Sequence, residues 1–307
     1  MNASNRSTTP IDAAQDVRDV EPVTAFWRGL GLPGLIDVHT HFMPKRVLDK
    51  VWAFFDGVGA WSGQPWPITY RMAEDQRVRR LRAFGVRAFS SLVYPHKPDM
   101  AAWLNGWAAD FARRTPDCLH SATFYPEPEA PRYVTAAIEA GARVFKAHIQ
   151  VGDYDPADPL LDGVWGALAD SGIPVVIHCG SGPQPGTHTG PGPISGLLAR
   201  HPRLRLIVAH MGLPEYAEFL DLAERYPSVC LDTTMVFTGF TEHGAPFPRE
   251  ELPRLRAMGD RVLFGSDFPN IPYPYTEALA ALARLDLGAD WLRAVCHDNA
   301  ARIFGIR

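Results

Sequence analysis

LIDVHTH, residues 35–41, is an apolar run that ends in two histidines. Its first half has the near-continuous hydrophobicity of a strand buried on both faces. Its second half alternates, so His39 and His41 share one face of that strand. Short, mostly apolar runs recur at 86–94 (VRAFSSLVY), 119–125 (LHSATFY), 142–150 (ARVFKAHIQ) and 174–180 (PVVIHCG). Three more follow at 204–212 (LRLIVAHMG), 229–234 (VCLDTT) and 262–269 (VLFGSDFP). Amphipathic stretches such as 99–114, 159–171 and 216–226 separate them. Strands alternating with helices predict βαβ units and a parallel sheet. Eight strands close a barrel, and no GxGxxG turn follows an early strand, as an open doubly wound sheet would need. The expected fold is an α/β (β/α)8 TIM barrel, one domain over residues 23–307 behind a polar, flexible leader at 1–22.

Two segments exceed a plain barrel. VWAFFDGVGAWSGQPWPITY (51–70) carries Trp52, Phe54, Phe55, Trp61, Trp66 and Tyr70, and SGPQPGTHTGPGP (181–193) follows the fifth strand. Both fall on the side where barrel active sites are built. The aromatic segment reads as a lid inserted after strand 1, or as a dimer surface. In either enzymatic reading below, a lid of this kind favours a flat or apolar substrate, with Trp61, Trp66 and His188 as candidate contacts.

Composition narrows the partners. The net charge of −4 implies no attraction to nucleic acid or to an acidic membrane. Arg77, Arg79, Arg80 and Arg82 form a basic run that reads as a solvated helix face. Cys118, Cys179, Cys230 and Cys296 lie far apart without metal-finger spacing, as expected of buried free thiols in a reducing cytoplasm. There is no long apolar span and no secretory signal pattern, so the expected address is cytoplasmic. A homodimer is suggested by fold analogy alone.

Polar groups gather where the strands should end: His39 and His41, Lys146 and His148, His178, His210, Asp232, Asp267. With 11 histidines in 307 residues, roughly 0.4 His-x-His pairs arise by chance, so that pair alone says little. A lone strand-end histidine is ordinarily a hydrogen-bonded rim residue, and an Asp after Gly-Ser a turn or cap. The joint placement at the mouth of one barrel is what argues for a site. His39, His41, His178 and Asp267 are suited to Zn2+, with Mn2+ or Fe2+ as alternatives, and leave room for a water. His210 is then a further ligand or, preferably, an acid/base beside that water. Lys146, one of only four lysines, has three readings. It pairs with Asp232 or a neighbouring carboxylate, is carbamylated between two metals with His178 and His210, or anchors an anionic substrate.

Taken together, IDVHTHFMP (36–44), VFKAHIQVGDYDPADPLLDGVWGALADSGIPVVIHCGSG (144–182), LIVAHMG (206–212), VLFGSDFP (262–269) and HDNAARIFGI (297–306) resemble the amidohydrolase superfamily. The resemblance is to its amidohydrolase-related branch, which includes aminocarboxymuconate-semialdehyde decarboxylase-like enzymes. It runs in order from about residue 34 to the end. The resemblance implies one divalent metal, often zinc, on His39, His41, His178 and Asp267, with His210 as acid/base. Lys146 and His148 match a frequent Lys-x-His of the branch. The basic residues that hold a substrate carboxylate in family decarboxylases have no evident counterpart, with Arg46, Lys50, Arg71 and Lys97 as candidates.

Two enzymatic functions follow. In the first, water activated by the metal attacks an amide, ester or lactone carbonyl while His210 or Asp267 carries the proton. In the second, an aromatic or muconate-type acid loses CO2 without oxidation. The hydrolase is preferred. A barrel that binds metal or ligand without turnover would be expected to have lost a ligand or the acid/base, and this chain has them all.

Overall fold

The computed structural model describes residues 19–306. Its centre is built from parallel strands: β1 (Leu35–Asp37), β2 (Val86–Ser90), β3 (Cys118–Leu119), β4 (Ser121–Thr123) and β5 (Val144–His148). β6 (Val175–His178), β7 (Leu206–Val208), β8 (Val229–Asp232) and β9 (Val262–Leu263) complete it. They pair in chain order, β1-β2-β3 and then β4 through β9. β3 and β4 are halves of the third predicted strand, parted at His120. The His120 carbonyl still accepts from Arg143 N–H at 2.8 Å, which carries the ladder across the break. The ring closes where Val38 N–H donates to Phe264 O (3.0 Å), Asp267 N–H to His39 O (2.8 Å) and His41 N–H to Phe268 O (2.7 Å). The eight apolar runs thus become eight staves of one closed barrel.

Alternation along each strand sorts its residues into two layers. In β5, Val144, Lys146 and His148 point inward, while Phe145 and Ala147 pack under the helices. The lower interior is filled by Ile36, Val38, Val144, Val176, Ile207 and Leu263. Ala300 and Phe304, on the C-terminal helix Asn299–Phe304, plug it from below. Polar residues are therefore confined to the upper half, above a dry floor. The outer helices are set by local chemistry. In Pro159–Ser171 the Asp158 carboxylate accepts from Leu160 N–H, Pro159 occupies the first turn and Gly172 ends the helix at φ 68°. That helix buries Trp165 edge-on against Phe124, ring centroids 4.8 Å apart.

One carboxylate stitches the first strand to the last. Asp37 is fully buried and accepts from His39 N (3.2 Å), Ser266 N (3.1 Å), Ser266 Oγ (2.6 Å) and Tyr275 OH (2.7 Å). Burial pushes its carboxyl up to about 7, against the downward pull of those donors.

Two expectations change, and the aromatic segment takes a definite form. Most of the aromatic segment is helical, in Lys45–Ser62, because its glycines are tolerated by flanking helix formers and Gly63 supplies the left-handed stop at φ 75°. The helix Val20–Gly29 begins inside the expected leader, and residues 1–18 of that leader lie outside the described residues. The basic run is not a solvated face: Arg77 and Arg80 are buried, whereas Arg79 and Arg82 pair outside with Asp75 and Asp117. Arg77 lies over Phe42 (4.9 Å) and Trp52 (5.8 Å), so the weakly hydrated guanidinium is held by ring faces. No helix among the described residues is long and apolar enough to cross a membrane.

Replacing Asp37 with Ala leaves four buried donors without an acceptor. The expected cost is about 3 kcal/mol or more, read as a lower urea midpoint. An unchanged midpoint would mean that the closure does not depend on this carboxylate.

Candidate metal centre

Just above β1, residues 39 and 41 emerge on the inner face, and the loop after β9 brings Asp267 opposite them. His41 Nε2 lies 2.9 Å and His39 Nε2 3.8 Å from Asp267 Oδ1. Ligand atoms of the three all fall within 4.8 Å of one another, and all three side chains are buried. The approach needs Gly265: a Cβ there would stand 2.7 Å from His39 Cβ. Asp267 itself sits at φ 71°, and His210 and Met211 at φ 54° and 52°, so non-glycine residues in the left-handed region concentrate here.

The far nitrogens fix the tautomers. His39 Nδ1 is 2.9 Å from Asp232 Oδ2 and His41 Nδ1 is 2.8 Å from the Leu92 carbonyl. Both acceptors require an N–H at Nδ1, which leaves each Nε2 lone pair facing Asp267. Asp232 also accepts from His210 N (2.9 Å) and Thr234 N (3.1 Å), so one carboxylate aligns two imidazole-bearing segments. Burial lowers the pKa of His39, His148, His178 and His210, and the Lys146 charge adds to that in each. These rings are neutral near pH 7. Asp267 is pulled both ways: burial raises its carboxyl, while a proton on the adjacent His41, His39 or His210 ring would favour its ionised form, down to about 2. Two imidazoles, each aligned through Nδ1 by a second partner, with Nε2 facing one carboxylate, are a donor set that fits a divalent cation.

The family model described as amidohydrolase matches residues 36–306. The chain belongs to the amidohydrolase family. A search of curated proteins gave no match. Among solved structures, the amidohydrolase fold resembles an uncharacterised TIM-barrel protein of Bordetella bronchiseptica (TM-score 0.72, 19% identity, 89% of this chain and 99% of that one). It also resembles a manganese-bound variant of 5-carboxyvanillate decarboxylase from Novosphingobium aromaticivorans (0.59, 17%, 90% and 98%). A probable 2-pyrone-4,6-dicarboxylic acid hydrolase of Acinetobacter baumannii is similar too (0.60, 15%, 89% and 99%). With its buried triad, this amidohydrolase is a metal-dependent enzyme of the hydrolase kind, acting on a small substrate.

The remaining predicted residues divide. His178 lies outside the triad's cluster; its Nε2 donates to Gly182 O at 3.1 Å, and its ring stacks on His148 at 4.1 Å. That stack follows from register, since His148 and His178 are direct partners across β5 and β6. His210 stands beside both groups, 5.1 Å from His39 and 4.8 Å from His178 by ring centroids. Lys146 is fully buried with Nζ 3.4 Å from His39 Nε2. It does not make the contact pair with Asp232 that sequence allowed, because Asp232 is already taken by His39 and His210. Burial lowers the Lys146 amine to about 8, with Asp232 and Asp267 opposing from a distance. The triad opens into a cavity of about 1420 Å³ that Trp61, Trp66, Lys146, His148, His178 and His210 help to line. His188 is half-buried in its loop and off that wall, and Arg71 pairs instead with Asp56 at 2.5 Å.

Sequence reading missed several contributors. Asp232 was visible as a strand-end acid, but not as the orienter of His39. Tyr94, against His41 (5.5 Å) and His148 (4.8 Å), ends the second apolar run and gave no other signal. Asn270 joins the lid to the metal loop, accepting from Trp52 Nε1 (3.0 Å) and Trp66 Nε1 (2.7 Å) while its own N–H donates to Asp267 O (2.8 Å). Nothing in its local sequence marks it.

Replacing His41 or Asp267 with Ala is expected to remove bound metal, measured as metal per chain by elemental analysis. Full occupancy in both variants would refute the triad. A second expectation concerns pH. The folded state keeps its buried imidazoles neutral, whereas the unfolded chain protonates them near 6.5. Stability of chelator-treated protein should therefore fall as pH drops below about 6.5, by up to about 1.4 kcal/mol per pH unit for each imidazole. A flat melting profile from pH 7.5 to 5.5 would show that these rings accept protons while folded.

Proposed function

We propose that this amidohydrolase hydrolyses an amide, ester or lactone bond in a small molecule with a flat or apolar body. One observation carries the preference over decarboxylation. The cations lining the cavity, Lys146 apart, are exposed at its rim: Arg46, Lys50 and Lys97. Besides the ion, a substrate carboxylate at the triad would meet one side-chain cation, Lys146, whose amine burial lowers to about 8. A neutral carbonyl suits that floor better.

His39, His41 and Asp267 would hold one divalent ion, with His178 as fourth ligand through Nδ1, the nitrogen left free by its bond to Gly182 O. Zinc is the preferred metal for a nitrogen-rich set, and the manganese of the decarboxylase relative makes Mn2+ the competitor. When bound, such an ion lowers the pKa of water and polarises a carbonyl. The chain's own groups then manage the protons. Asp267, ionised and within reach of the same space, accepts a proton from the attacking water. His210 donates from Nδ1 to Thr234 O at 3.0 Å, so its Nε2 lone pair is available to take up and return a proton. The aromatic lid excludes bulk water and holds an apolar substrate body.

The decarboxylase reading is supported by the 5-carboxyvanillate decarboxylase relative. A panel of lactones, amides, esters and aromatic carboxylic acids separates the two, with acid release followed by pH-stat and CO2 by headspace analysis. Acid release is expected, reduced about 10²- to 10⁴-fold in His210→Ala with metal retained. CO2 evolution without hydrolysis would overturn the proposal.

A further inference from the structure

The cavity changes character from floor to rim. At the floor stand the buried triad, Lys146 and His210. Above them comes an aromatic wall in which Phe55 packs on Trp66 (4.8 Å) and Trp66 on Phe240 (4.7 Å). Trp61 and Phe54 continue it outward at 44% and 58% exposure. Such apolar exposure on a cavity wall marks a surface made to be covered. At the rim are Arg46 and Lys50, in the first turns of the helix Lys45–Ser62, and Lys97 beyond β2. One carboxylate, Asp99, faces these three cations there. Arg46 lies over the Trp103 ring at 4.3 Å. Lys50 and Lys97 have no ion-pair partner among the described residues. Their charge is free to meet a ligand.

Size adds an independent constraint. Drug-sized ligands fill cavities of about 300–1000 Å³, and this one reaches about 1420 Å³. A single-ring acid held at the floor would leave most of the aromatic wall and all of the rim uncovered. We infer that the cavity takes an elongated amphipathic carboxylate. Its reacting bond lies at the floor, an apolar body of more than one ring lies along the lid tryptophans, and its carboxylate lies at the rim between Lys50 and Lys97. The assignment of the reacting end rests on the hydrolase reading; the apolar body and the rim carboxylate do not.

Binding alone tests this, without turnover. 1-Pyrenebutanoic acid and its neutral counterpart 1-pyrenebutanol serve as fluorescent probes for the purified protein and for the Lys50→Gln/Lys97→Gln double variant. Wild type is expected to bind the acid more tightly than the alcohol, with a preference that shrinks in added salt. The double variant should lose about five- to tenfold in affinity for the acid and nothing for the alcohol. Chelator treatment should leave the preference in place, which keeps this result separate from the fate of the hydrolase reading. Equal affinity for both probes, binding of neither, or a double variant that retains the preference would each overturn the inference. So would a preference abolished by chelator, since the carboxylate would then sit at the metal.

Discussion

The Asp37 carboxylate receives four donors at a point where the barrel has to meet itself. A parallel sheet of eight staves closes only if the first strand finds the last in the correct register, because a slip of one residue would turn every side chain to the other face. β1 and β9 are short, and the seam between them is made largely by the segments that follow each strand. Asp37 fixes that seam by binding the backbone and hydroxyl of Ser266 on one side and the backbone of His39 on the other. What it holds in register is the ligand set itself: His39 lies two residues beyond Asp37, and Asp267 one beyond Ser266. The same constraint that shuts the barrel therefore sets the spacing of the metal centre.

Around that seam the polar interior is organised so that imidazoles stay neutral while a lysine shares their space. Burial disfavours charge on the His39, His148, His178 and His210 rings, and Lys146 reinforces this by repulsion. The negative charge that balances the group comes from Asp232 and Asp267, one orienting from behind and one facing the cavity. The left-handed backbone at His210 and Asp267 is the cost of presenting both side chains from loops that turn sharply after β7 and β9.

Much of this was legible in the sequence. Strand runs and their polar ends are local patterns, and a period of two is enough to place His39 with His41 and Lys146 with His148. The halves of the third strand could not be foreseen, because nothing in the apolar run itself marks a break at His120. The basic run misled for a related reason. A guanidinium that settles between Phe42 and Trp52 needs partners from the segment after β1 and from the lid helix, and no short window around Arg77 contains either. Asp232 and Asn270 were opaque on the same ground: each acts through residues far away in the chain, so their types were visible while their roles were not. His178 marks the remaining distance between pattern and place. Its strand and face follow the pattern, yet its Nε2 is engaged by Gly182 at the turn of the next loop.

The closure has a temporal side as well. Asp37 and Ser266 are 229 residues apart along the chain, and the plug of Ala300 and Phe304 comes later still. During synthesis His39 and His41 emerge early, on a strand with no last stave to pair with and no carboxylate opposite. The complete triad exists only after residue 267 has left the ribosome. Metal capture is thus a late event in the life of each molecule, and a chain truncated before residue 267 would carry its histidine pair as an incomplete ligand set.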